Sequence, residues 1–344
     1  MAFALPLTTA TMEAKLVEAL PEEPGWQFEP KWDGFRCLAY KSGDHVDLRA
    51  KSGKPLARFF PDIVERVAAM RANNFVIDGE IIIIDRGKLA FEALQMRLHP
   101  AASRIAKLAK QQPAQFMLVD CLPRNGQSLL KAPLSKRRDA LEKLVGKGAP
   151  CIELSPYTRD AKAAEKWLKR SGRALDGVIA KKLDGAYVQG ERAMLKVKRL
   201  RTADCVVAGF RYASNSDEVG SLLLGLYDDA GLLHHVGFTS TIANAERQAL
   251  TGKLQKLKGA GFTGRAPGGP SRWSSERSGE WEGLKPKLVV EVRYDQVTQD
   301  RFRHGTKLLR WRPDKAPSQC TFDQLKPPAP PAEVAALLRE AARG

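Results

Sequence analysis

The residues with the most chemical content fall in one short run, Glu29-Pro30-Lys31-Trp32-Asp33-Gly34-Phe35-Arg36, which packs two acids, two bases and a glycine into eight positions. A lysine amine becomes a nucleophile once it is neutral, and an acid or cation beside it sets that state. A Lys-x-Asp-Gly run is also what a solvated turn looks like, because turns are rich in Asp-Gly. Further residues give it company. Asp78-Gly79-Glu80 interrupts a β-branched stretch, where a carboxylate is costly unless it meets a cation, a metal or a hydroxyl. Asp176-Gly177-Val178-Ile179-Ala180-Lys181 repeats that logic, and Lys196 and Lys198, two apart, share one face of a strand. Like charges so placed repel unless an anion lies between them. A phosphate chain would turn that repulsion into binding.

The elements that must position these residues read as strand-rich α+β. Residues 35–49 alternate around Ser42-Gly43-Asp44 as a β-hairpin, and 75–84 form a strand before the turn Asp85-Arg86-Gly87. Helical spacing runs over 133–146 and 160–170, with Pro133 near the first start and Gly172 after the second. Strands return at 175–182 and 194–198. The character changes near 200–203. Short strands at 205–212, 221–227 and 232–238, a helix near 244–258, a Gly/Pro/Ser-rich loop and a strand at 288–297 suit a small Greek-key barrel, with a sandwich left open. The boundaries expected are 1–200 for the first domain, 203–320 for the second, and a Pro-rich stop with a short helix over 321–344. A chain of 344 residues is itself long for a single core.

Lys and Arg number 56 against 39 for Asp and Glu, a net charge of +17, of which residues 1–200 carry +12. Such an excess fits a polyanionic partner, or a solubility surface. Apolar runs such as Ile81 to Ile84 are far short of the roughly 20 residues of a membrane span. The first residues show neither a basic n-region nor a long apolar stretch. Five scattered cysteines without a Cys-x-x-Cys pair speak against a disulfide framework or structural zinc and for a cytoplasmic setting. His234-His235 has no acid or cysteine at ligand spacing, and reads as surface or core.

Taken in order, Lys31-x-Asp33-Gly34-x-Arg36, Asp78-Gly79-Glu80, Asp176 to Lys181 and Lys196-Val197-Lys198, closed by Arg312-Pro313-Asp314-Lys315, resemble the motifs of the covalent nucleotidyltransferase superfamily. Within it the chain is similar to ATP-dependent DNA ligases, most closely the small stand-alone bacterial ones of the C type, over nearly its whole length. The resemblance implies an adenylation (nucleotidyltransferase) domain with antiparallel sheets and flanking helices, followed by an all-β OB-fold barrel domain. It also implies ATP as co-substrate, Mg²⁺ or Mn²⁺, and sealing of 5′-phosphate/3′-hydroxyl breaks in nicked or broken duplex DNA, as in repair. Such an enzyme is expected to act as a monomer without a membrane, with a repair polymerase or end-binding protein supplied in trans.

By the same resemblance Lys31 is the nucleophile that forms lysyl-AMP, and Arg36, Lys196, Lys198 and a metal would favour its neutral form. Glu29 is implied beside the adenine, Arg36 at the ribose, Glu80 at the ribose or a metal, and Asp176 at a metal. Lys196 and Lys198 would hold the α-phosphate, and Arg312, Asp314 and Lys315 would meet the pyrophosphate. Lys181 could equally be a solvated strand end. Arg301, Arg303, Lys307 and Arg310, interleaved with Phe302 and Trp311, suit backbone phosphates, with Trp311 better placed in the core. Two positions depart from the family pattern. Lys51 stands for the usual Arg of Ser-Arg-x-Gly, and Val119 stands where an aromatic usually stacks on adenine, with Phe116 reading as core. An RNA ligase or capping-type nucleotidyltransferase, or a noncatalytic DNA-binding protein, would share these motifs.

Overall fold

The computed structural model describes residues 2–146, 150–170, 175–198, 200–268 and 280–325. Most of the Gly/Pro/Ser-rich loop, Gly172, and the Pro-rich stop with the helix after it lie outside the described residues. The chain divides into two compact units, one within Met1–Arg199 and one within Leu200–Pro328.

The first unit holds twelve described strands: β1 (Ala14–Leu16), β2 (Trp26–Lys31), β3 (Phe35–Ser42), β4 (His45–Ala50), β5 (Asn74–Ile82), β6 (Ile84–Asp85), β7 (Lys88–Leu89), β8 (Gln115–Arg124), β9 (Gln127–Ser128), β10 (Ile152–Leu154), β11 (Gly177–Lys182) and β12 (Met194–Val197). Its helices are α1 (Pro61–Ala68), α2 (Phe91–Arg97), α3 (Ala102–Gln111), α4 (Leu134–Val145) and α5 (Ala161–Arg170). One sheet has the order β1-β12-β11-β2 and the other β10-β8-β5-β3-β4, with β9 against β8. Two pairs, β1 with β12 and β10 with β8, are parallel, so the sheets are mainly rather than wholly antiparallel. The hairpin, the 74–82 strand and the helices α4 and α5 match the sequence pattern; α1, α2 and α3 it did not signal.

Alternation on β5 explains how the layers form. Phe75, Ile77 and Ile81 join a core with Ile63 and Val67 of α1, Leu94 of α2 and Leu141 of α4. Val76 turns to the opposite side, packing with Leu38, Tyr40 and Met194, and Ile82 joins Trp26, Phe28 and Val178. Asp78 and Glu80 share that opposite side, between two apolar patches. The polar positions of β5 therefore lie on the face that meets strands of the other sheet.

The second unit holds β13 (Arg201–Tyr212), β14 (Val219–Tyr227), β15 (Leu233–Thr239), α6 (Asn244–Gln255), β16 (Glu282–Tyr294), β17 (Val297–Thr298), β18 (Arg301–Phe302) and β19 (Lys307–Trp311). The sheet order is β15-β14-β13-β16-β19. Among the described residues its edges meet only at one parallel bridge, Thr239 of β15 with Thr306 just before β19, so the ladder does not close continuously into the expected barrel. Nor is the unit all-β, since α6 packs Leu250 and Leu254 on the core. Bulges between Val207 and Gly209 supply the bend of the sheet. All five cysteines are free thiols, and no helix among the described residues is long and apolar enough to cross a membrane.

β2 leaves one sheet and β3 enters the other within three residues. A Cβ at Gly34 would stand 2.2 Å from the Ile81 carbonyl oxygen, so the crossover lies directly on β5. Gly34→Ala is expected to lower stability by about 2 kcal/mol or more, moving the thermal midpoint down by at least about 4 °C. Gly252→Ala, on α6 with nothing within 4 Å of the new methyl, serves as the control and should hold or raise the midpoint. Equal midpoints for the two variants would show that the crossover relaxes freely.

Candidate active site

Register fixes which side chains share the seam between the two sheets of the first unit. Glu29 pairs across to Ile179 and Lys31 to Gly177, while Ile179 pairs to Lys196 on its other side, so Glu29, Lys31 and Lys196 lie on one face. From the other sheet Arg36 stands opposite Glu80, and Leu38 opposite Asp78. Trp32, buried in the crossover, anchors it through its indole N–H to Ser155 Oγ at 2.9 Å.

Asp176 is the carboxylate at the centre of the lysines. Lys31 Nζ donates to its Oδ2, and Lys198 Nζ lies 3.1 Å from the same oxygen. The Asp176 N–H also donates to the Lys31 carbonyl at 2.9 Å, which ties the start of β11 to the end of β2. Burial, then the cations of Lys31, Lys198 and Lys51, lowers the pKa of Lys196. The sequence placed only cations and a metal about Lys31. The structure adds an acid that holds its nitrogen directly. Lys51 is mostly exposed and pairs with Glu13 at 2.9 Å.

Arg36 is gripped side-on by Asp78, with Nε to Oδ1 at 2.6 Å and Nη2 to Oδ2 at 2.7 Å. Tyr187 donates its hydroxyl to Asp78 Oδ2 at 2.7 Å and accepts from the Met12 N–H at 2.9 Å. Asp78 is wholly buried, so three donors compensate a charge that would otherwise be costly. Beside it, Glu80 is pushed up to about 7, chiefly by burial and against the pull of Arg36 and Lys31. The sequence called for a cation, a metal or a hydroxyl at the Asp78-Gly79-Glu80 run but did not point to Tyr187, which sits 109 positions away from Asp78.

Glu29 is buried: it accepts from Gln27 Nε2 at 2.8 Å and from Lys181 Nζ at 2.9 Å. Lys181 also donates to the Val119 carbonyl at 3.1 Å, so it is no solvated strand end. Val119 is buried at a register shift of β8 against the Asp78–Gly79 step, which turns its carbonyl toward Lys181. Phe116 is core, as its pattern suggested.

In the second unit Arg312, Asp314 and Lys315 gather on a residue the sequence did not single out. Asp204 accepts from Arg312 Nη1 at 2.8 Å and from Lys315 Nζ at 2.7 Å. Asp314 pairs with Arg312 Nη2 at 2.8 Å, and that hydrogen bond draws its pKa down to about 2. His234, contrary to expectation, has an acid partner: its Nε2 lies 2.7 Å from Asp228 Oδ2. No group of three or more His, Cys, Asp and Glu able to hold a metal occurs among the described residues.

Glu80 supplies a pH dependence. Its folded pKa of about 7 lies above the ordinary 4.5, so between those values the folded chain keeps a proton that the unfolded chain releases, and stability falls as pH rises through that window. The loss has an upper bound of about 3 kcal/mol. Glu80→Gln should therefore gain thermal midpoint relative to the parent at pH 8 compared with pH 5. A difference that stays constant across the range would show that Glu80 ionises normally.

Comparison with known proteins places this arrangement. Residues 8–198 match the model of the ATP dependent DNA ligase domain, and 215–315 that of the ATP dependent DNA ligase C terminal region. The chain is 44% identical over 328 residues to DNA ligase C1 of Mycolicibacterium smegmatis, covering 92% of this chain and 93% of that one. It is 26% identical over 302 residues to the multifunctional non-homologous end joining protein LigD of the same organism, covering 87% of this chain and 37% of that one. A solved structure from work on Lig E DNA ligases shares the fold, with a TM-score of 0.57 at 19% identity over 88% of this chain and 99% of that one. The chain belongs to the family of ATP-dependent DNA ligases.

Proposed function

We propose that this chain seals 5′-phosphate/3′-hydroxyl breaks in duplex DNA, with Lys31 carrying AMP between ATP and the nick. The observation that carries the residue assignment is the Asp176 carboxylate shared by Lys31 and Lys198 in the seam faced by Arg36 and Glu80. The neutral Lys31 nitrogen attacks the α-phosphorus; the bond to pyrophosphate breaks and a P–N bond forms. The AMP then passes to the 5′-phosphate, and the 3′-hydroxyl oxygen displaces it as the phosphodiester forms. Lys196 and Lys198 offset the phosphate charge at the attacked centre. The free N–H groups of Arg36, held by Asp78, point the guanidinium for a ribose or phosphate oxygen. Glu29, fixed by Lys181, shapes the wall assigned to adenine.

Glu80 and Asp176 make the donor set for Mg²⁺ or Mn²⁺. Two carboxylates beside lysines that hold phosphate fit an ion that keeps several waters and shares its remaining positions with the nucleotide. When bound, such an ion supplies charge to the departing pyrophosphate. In this reading residues 1–200 are the adenylation domain and 203–320 the oligonucleotide-binding domain, whose Arg312, Asp314 and Lys315 serve the pyrophosphate. Lys51 and Val119 belong to the nucleotide site as well. In this reading the enzyme works as a monomer in the cytoplasm with end-joining or polymerase partners in trans, and the name of its LigD relative supports the end-joining part alone.

Incubation with α-labelled ATP and Mg²⁺, followed by denaturing electrophoresis, should label the parent through an acid-labile bond. Lys31→Ala and Lys31→Arg should both abolish the label, because a guanidinium stays protonated. Both variants should still join a chemically pre-adenylated nick, a step that needs no lysine nucleophile. Full labelling in either variant moves the nucleophile elsewhere.

A further inference from the structure

The clamp on Arg36 is completed by a residue that belongs to none of the motifs. Asp78 takes the guanidinium through Nε and Nη2, at 2.6 and 2.7 Å, which leaves the Nη1 edge for a ligand. The Arg36 side chain is 21% exposed and that of Asp78 not at all, so whatever Asp78 does for a ligand it does through Arg36. Asp78 Oδ2 accepts a second bond, from the Tyr187 hydroxyl at 2.7 Å. The Met12 N–H donates to that hydroxyl at 2.9 Å and can accept nothing, so the one hydroxyl proton goes to Asp78.

Tyr187 lies in the loop between β11 and β12 and is held from several directions. Its N–H donates to the Leu130 carbonyl at 2.8 Å. Arg137 of α4 sits over its ring at 5.8 Å and donates to the Gly185 carbonyl at 2.8 Å and the Ala132 carbonyl at 2.6 Å. On the other side the Val188 N–H reaches Met12 Sδ at 3.4 Å, and the Gly190 N–H donates to the Thr11 carbonyl at 3.2 Å. The tyrosine is buried in a cluster with Met12, Leu38, Tyr40 and Met194. A hydroxyl so enclosed, with its proton and one lone pair engaged, cannot itself touch a nucleotide.

A carboxylate gripped only by a guanidinium can still rock about its own Cβ–Cγ bond, and the fork rocks with it. A second donor on Oδ2, fixed in a different part of the fold, stops that motion and holds the plane of the pair. We infer that Tyr187 is a positioning residue of the nucleotide site, which through Asp78 sets the plane of the Arg36 guanidinium toward an oxygen of ATP. The inference rests on the ligase reading for the identity of the nucleotide and adds a residue that reading does not contain. A lysine at position 36 would have no plane to set, so the hydroxyl matters only while that residue is an arginine.

Self-adenylation of the full chain, followed as AMP label against ATP concentration with Mg²⁺, gives a half-saturating concentration and a limiting rate. Tyr187→Phe should raise the half-saturating concentration roughly tenfold, the scale of one hydrogen bond to a charged group. The limiting rate should stay near that of the parent, the pattern of lost binding rather than lost chemistry. Tyr40→Phe, which removes a buried hydroxyl of the same cluster from the Pro6 carbonyl at 3.2 Å, should leave both values unchanged. In an Arg36→Lys background Tyr187→Phe should add nothing. An unchanged half-saturating concentration for Tyr187→Phe overturns the inference, and with a lowered melting temperature it makes the hydroxyl structural alone. The same rise in Tyr40→Phe, or in the Arg36→Lys background, overturns it as well. Calorimetric titration of ATP in EDTA should show the same ratios without any transfer, so a parent that takes no label counts against the ligase reading and is read separately from Tyr187.

Discussion

The Ile81 carbonyl oxygen stands where a side chain at residue 34 would have to go, and the first unit is organised around that contact. It forces the chain between β2 and β3 to run directly over β5. Lys31 therefore ends one sheet only a few residues before Arg36 begins in the other, opposite Glu80. A matching approach occurs on the far side of Lys31. Gly177 has φ +146°, and a Cβ there would lie 2.1 Å from the Val197 carbonyl oxygen. That closeness draws Asp176 between Lys31 and Lys198. The glycines after the two aspartates are thus packing requirements first, and the chemistry of the lysines follows from how near they let the backbones come.

The seam so formed carries its charges unevenly. Arg36 and Asp78 neutralise one another in a bidentate pair. Glu80 holds its proton near neutrality. Around Asp176 stand Lys31, Lys196 and Lys198, and the pKa of Lys196 is lowered first by its burial and then by repulsion from the other lysines. A phosphate chain relieves that repulsion and competes with Asp176 for the lysines. The carboxylate that orients the nucleophile is therefore also the group from which it must be released.

Much of this site was legible because chemistry-bearing residues stood in short runs where their type was out of place, as Asp78 and Glu80 are within an apolar strand. What sequence could not give were partners set by register. Lys181 and Lys182 look alike in sequence, yet successive strand residues point to opposite faces. Lys181 is buried on Glu29, while the exposed Lys182 lies over the Trp26 ring at 5.6 Å. Tyr187 and Asp204 carried no local signal, since each acts on residues more than a hundred positions away. The helices α1, α2 and α3 were not read from the sequence, and length alone does not account for it, since α5 is as short as α3 and was read.

The arginines of the second unit show why counting cations in a sequence misjudges their work. Arg312 and Lys315 lie on Asp204, so a phosphate that engages them must exchange with a carboxylate already in place. The net gain is the difference between two ion pairs, which suits a contact that forms and breaks within a reaction cycle.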